Sequence, residues 1–127
     1  INLLDVDHSA VDWNGKKQKD TSGEENTIAI PGFEKVTLYA NETTQAVNFH
    51  NPEINDCYFK ISLIHPDGSV LWISDLIEPG KGMYSIELEK TLAVGEYENA
   101  VLKYECFSLN DQSPLNGSEI NLKLVVV

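Results

Sequence analysis

Arginine is absent from this chain: all nine of its basic residues are lysines, set against twenty acidic residues for a formal net charge of −11. A nucleic-acid surface wants guanidinium forks and a basic patch, so nucleic acid is excluded as an expected partner, and anionic membranes with it. The acidity itself speaks to solubility rather than to a site. No apolar run approaches the roughly 18–20 residues of a membrane helix, so no transmembrane segment is expected. Histidine is sparse, and His8, His50 and His65 show no H-x-x-x-H or cysteine–histidine spacing, which argues against zinc. Neither Gly-x-Ser-x-Gly nor a phosphate loop occurs, and paired carboxylates cannot be singled out among twenty. Asp5-x-Asp7 with Asp12 lacks the glycine and closing glutamate of a calcium loop and reads as solvated surface. The expectation is therefore no catalytic residue, no metal and no cofactor. The chain begins at Ile1 rather than Met, which we read as a hint of processing upstream and of export.

What is present is β-favouring sequence cut by turn residues. Residues 1–26 carry six acidic residues and three lysines with Gly15 and Gly23. They read as an arm or tether, with docking of Leu3, Leu4, Val6, Val11 and Trp13 as an extra edge strand the alternative. From residue 27 to 127 the pattern predicts one domain. Strands are expected over Thr27–Ile30, Lys35–Ala40, Gln45–Asn48, Cys57–Ile64, Val70–Ser74, Met83–Glu89, Tyr97–Leu109 and Leu122–Val127, with turns at Pro31-Gly32, Pro66-Asp67-Gly68 and Pro79-Gly80. Asn51-Pro52 is a strand breaker. With no helical crossovers the strands are expected to run antiparallel, and alternation in Cys57–Ile64 and Ala100–Cys106 gives each strand one dry face and one wet face. The fold class is thus an all-β, two-sheet antiparallel sandwich of seven to nine strands. The apolar Leu122–Val127 run must be buried, or else invite strand addition.

Leu92-Ala93-Val94-Gly95-Glu96-Tyr97 resembles the L-x-x-G-x-Y turn of immunoglobulin-like and fibronectin type III-like domains. In that turn Leu92 plugs the core, Gly95 permits a tight backbone, and the Tyr97 hydroxyl reaches a backbone group. Asn51-Pro52-Glu53 with Asn55-Asp56-Cys57-Tyr58-Phe59, Glu78-Pro79-Gly80-Lys81-Gly82, Pro114-Leu115-Asn116-Gly117 and Ile28-Ala29-Ile30-Pro31-Gly32-Phe33 are similar to a group of small exported immunoglobulin-like proteins of Gram-positive bacteria. The resemblance covers residues 27–127 and implies a location and a fold rather than a mechanism.

Strand parity turns Cys57 and Cys106 inward at one end of neighbouring antiparallel strands. Two readings follow: a cross-strand disulfide, or two buried thiols serving as small apolar residues. A bridge would close a loop of roughly 50 residues and stabilise by about 4 kcal/mol in the chain-entropy model. Trp72 reads as core. If it were exposed beside Tyr58 and Tyr84, the three would form a binding patch for a sugar or a protein. Asn41-Glu42-Thr43 and Asn116-Gly117-Ser118 match the glycosylation triplet but read as turn residues. The expected role is a non-enzymatic extracellular or cell-surface interaction or structural module, monomeric or weakly oligomeric, whose partner is an unidentified protein or glycan. The alternative is a carbohydrate-binding module.

Overall fold

The computed structural model describes residues 5–12 and 35–127. Among them there is no helix. Eight strands occur: β1 (Val11–Asp12), β2 (Lys35–Leu38), β3 (Thr44–His50), β4 (Cys57–Ile64), β5 (Val70–Ile73), β6 (Lys81–Glu87), β7 (Gly95–Ser108) and β8 (Pro114–Val126). They form a three-stranded sheet in the order β1-β6-β3 and a five-stranded sheet in the order β2-β8-β7-β4-β5. The expected strand at residues 27–30, the Pro31-Gly32 turn and Trp13 lie outside the described residues.

Alternation builds the core. Phe59, Ile61 and Leu63 of β4, Leu102 and Tyr104 of β7, and Leu124 of β8 point into one cluster with Phe49, Met83 and Ile86 of the smaller sheet. The rings of Phe49 and Trp72, 5.7 Å apart, join the two sheets across it. Such area removed from water is the main stabilising term, at roughly 25 cal/mol per Å² of apolar surface. In the Leu122–Val127 run Leu122, Leu124 and Val126 face inward while β8 is flanked by β7 and β2, and Val127 is exposed.

Two expectations need correction, and one alternative gains support. The pairing is not wholly antiparallel, because β2 runs parallel to β8, from Lys35 opposite Lys123 to Leu38 opposite Val126. A chain that crosses from one sheet to the other without a hairpin is free of the antiparallel constraint. Of the arm, only residues 5–12 are described, and there the chain pairs with the body, in line with the edge-strand alternative. Val6 bridges Leu76, Asp7 N donates to Leu76 O at 2.7 Å, and β1 pairs with β6, where Lys81 meets Asp12 at 2.9 Å. Finally, β8 begins at Pro114, eight residues before the expected start. Proline is admissible as the first residue of a strand, and Asn116-Gly117 makes a bulge rather than a turn.

That bulge is one of a compensating pair. Between Tyr97 and Ala100, Glu98 and Asn99 of β7 oppose Lys123 alone; between Tyr104 and Cys106, Asn116 and Gly117 of β8 oppose Glu105 alone. One extra residue on each strand restores the register at both ends. Asn99 takes φ 64°, which asparagine tolerates better than most residues. Gly117 is required by close approach: a Cβ there would lie 2.2 Å from the Tyr104 carbonyl oxygen. In β5 a further shift, between Leu63/Trp72 and Ile64/Val70, lets the adjacent Leu71 and Trp72 both face inward.

Candidate functional site

Cys57 opens β4 and Cys106 lies near the end of β7, which pairs with β4 antiparallel. Register sharpens the expectation. Cys57 lies opposite Ser108 and Cys106 opposite Phe59, so the cysteines are diagonal rather than direct neighbours. Both are buried, at 2% and 1% exposure, and both are thiols here. The Cys106 S–H donates to the Cys57 sulfur. This lowers the Cys57 pKa against the opposing effect of burial, while the same bond, with burial, raises Cys106. The arrangement is two buried thiols in hydrogen-bond contact inside the core. Diagonal Cα atoms lie roughly 7–8 Å apart and a disulfide wants about 4.4–6.8 Å. Closing the bridge would therefore draw the two strand ends together slightly.

The loop behind Cys57 is built on a residue read from sequence only as a strand breaker. Asn51 is fully buried. Its Nδ2 donates to Cys57 O at 2.8 Å and to Ile77 O at 2.9 Å, and its Oδ1 accepts from Asn55 Nδ2 at 2.9 Å. Its backbone N donates to Lys81 O, and its carbonyl accepts from Gly80 N at 2.7 Å. One side chain thus fastens the β3–β4 and β5–β6 connections to the start of β4. The signal available in sequence was Asn preceding Pro, with a second Asn four residues on. Gln45 plays a comparable part at the other end. It is 1% exposed, bonding Tyr39 N and O and Glu42 O, each at 2.8 Å.

The remaining sequence candidates divide. Leu92 is buried, Gly95 begins β7, and the half-buried Tyr97 donates its hydroxyl to Ala93 O at 2.8 Å. The Tyr97 ring also meets His65 edge-on at 5.3 Å. The aromatic patch is not assembled. Trp72 is 7% exposed in the core, Tyr58 is half-buried on the outer face of the five-stranded sheet, and Tyr84 is exposed on the solvent side of the other sheet. What Tyr58 does meet is Phe107, directly opposite on β7 and itself opposite Pro114. Beside them a groove of about 560 Å³ runs along β7 and β8, past Lys103, Glu105, Phe107, Pro114, Leu115 and Glu119.

Elsewhere polar groups serve local structure. Asp7 accepts from Ser9 N and Asp75 N, and Asp12 pairs with Lys81. Among the described residues no cluster of three or more His, Cys, Asp or Glu could hold a metal ion. No helix in them is long and apolar enough to cross a membrane. The buried Tyr104 hydroxyl has no partner, and burial raises its pKa.

Fold and site together define an all-β domain of two packed sheets with a buried cysteine pair at one end. Comparison with protein-family models, curated proteins and solved structures finds no match to this chain.

Proposed function

We propose that this chain is a non-enzymatic interaction or structural module of immunoglobulin-like type that works outside the cytoplasm, held at a cell surface. The observation that carries the compartment is the contact of Cys57 with Cys106. In an oxidising compartment the two thiols would give up two protons and two electrons, by exchange with a disulfide donor, and close a bridge within one sheet. In a reducing one they would stay as small core residues. The immunoglobulin-like type is supported by three features. The first edge strand crosses to run parallel with the last, β3 and β6 form the core of the second sheet, and Tyr97 makes the corner bond to Ala93 O. The segments that resemble small exported proteins of Gram-positive bacteria fit the same reading.

A second reading, carbohydrate binding, rests on the Tyr58–Phe107 pair beside its groove, since aromatic faces stack on sugar rings. Binding of the folded protein to a glycan array, compared with the Phe107→Ala variant, separates the two. Glycan binding that Phe107→Ala abolishes establishes the carbohydrate reading. Binding to intact bacterial surfaces that survives both glycan competition and Phe107→Ala supports the first.

A further inference from the structure

Cys57 and Cys106 sit in surroundings of unequal stiffness. The start of β4 is hydrogen-bonded on both edges. β7 pairs along one of them; on the other, Phe59 and Ile77 exchange backbone bonds at 3.0 and 2.7 Å while Asn51 Nδ2 holds the Cys57 carbonyl. The end of β7 has less support. Its second neighbour is β8, which meets β2 only over residues 123–126, so among the described residues β8 is unpaired on its outer edge beside Cys106 and Phe107. Residues 113–119 are all exposed. Between this hairpin end and the rest of the sheet lies the bulge in which Asn116 and Gly117 oppose Glu105 alone, a break in the ladder where a strand bends most readily.

We propose that the end of the β7–β8 hairpin is a redox-responsive element, which swings against a fixed β4 when Cys57 and Cys106 bridge. This movement rests on the bridge proposed above and on β4 being the stiffer partner. The chemistry is an exchange. One cysteine thiolate attacks a small disulfide such as oxidised glutathione, and the second attacks the mixed disulfide. Two glutathione thiols leave with the two electrons and two protons. Diagonal neighbours at roughly 7–8 Å must close by on the order of 1 Å to reach disulfide geometry. Taken up over the two residues from Tyr104 to Cys106, about 7 Å of strand, that is a swing of roughly 10°. The groove straddles the hinge. Lys103 and Glu119 stand on the fixed side and Phe107, Pro114 and Leu115 on the moving side, so its width follows the state of the cysteines.

Residual dipolar couplings of the backbone amides read this swing, because they report orientation rather than nearness to a new bond. The whole chain is refolded in mixed oxidised and reduced glutathione to form the bridge, and compared with the same chain in dithiothreitol. Couplings of Phe107, Leu115 and Asn116 should depart from the reduced-state fit by the equivalent of a roughly 10° reorientation. Those of Asn51, Phe59 and Ile77 should stay on it. Cys106→Ala, taken through both buffers, should show no difference. A bridge that leaves the hairpin couplings unchanged, or that shifts Asn51, Phe59 and Ile77 as much as the hairpin, overturns the inference and leaves the proposed compartment standing. So does a Cys106→Ala variant whose hairpin couplings change as in the wild type. Failure of the bridge to form in glutathione overturns both.

Discussion

Truncating Asn51 to alanine removes a side chain that serves three buried partners at once. The Cys57 carbonyl loses its side-chain donor, and the Asn55 amide loses its acceptor. The Ile77 carbonyl keeps the Phe59 amide at 3.0 Å and so loses only its second bond. A buried polar group left unpaired costs roughly 1–3 kcal/mol, and a bond lost from a group that keeps another partner about 0.5–1.5 kcal/mol. Allowing for relaxation, Asn51→Ala should destabilise by about 3 kcal/mol. For a chain of this size that is a fall in Tm of about 10 °C. Asn51→Asp should be worse than alanine, because it turns a carboxylate oxygen toward two carbonyl oxygens in a buried site. Urea unfolding followed by circular dichroism reads both, with the midpoint falling and the slope unchanged. A loss below about 1 kcal/mol for Asn51→Ala, or an Asn51→Asp variant as stable as the wild type, would refute the view of Asn51 as the fastening point.

Tyr104→Phe removes a buried hydroxyl without a partner and keeps the ring against Phe59, so stability should hold or rise by about 1 kcal/mol; a comparable loss in urea unfolding would contradict this. Gly117→Ala drives a methyl group into the Tyr104 carbonyl, and backbone atoms have little room to yield. It should destabilise by roughly 2–4 kcal/mol on thermal unfolding, whereas a neutral result would mean the bulge relaxes freely. Asp67, bonded by the Ser69 hydroxyl and amide in the β4–β5 turn, has its pKa lowered to about 2. Its folded pKa lies below the unfolded value of about 3.9, so its contribution is complete above pH 4 or so and is lost as pH falls through about 2. A carboxyl titration by NMR should show that low midpoint, and Asp67→Asn should flatten the acid limb of stability.

Much of the architecture was legible because it rests on period-two alternation. Cys57–Ile64 is bounded as the pattern predicts, and the inward turn of Cys57, Phe59, Ile61 and Leu63 follows from it. What alternation could not reach were the places where it breaks. Leu71 and Trp72 are consecutive and both buried, which only a bulge allows, and no residue type in Val70–Ile73 announces one. Pro114 to Gly117 has turn composition yet lies in β8, because a proline can open a strand and an Asn-Gly pair can bulge as readily as it can turn. The parallel pairing of β2 with β8 is long-range and leaves no local trace. Of the candidate site, the facing of the cysteines was visible while their diagonal offset was not, since register is set by pairing across some 50 positions rather than by either strand alone. Asn51 escaped notice because a fully bonded buried amide looks, in sequence, like any loop asparagine.

The most direct test of the proposed compartment and bridge is the intact mass of the protein recovered from its native location. It is denatured in the presence of an alkylating reagent, with and without prior reduction. No label is expected without reductant, and two labels after it, on Cys57 and Cys106. Two labels on the unreduced protein would contradict the bridge and leave the pair as core residues.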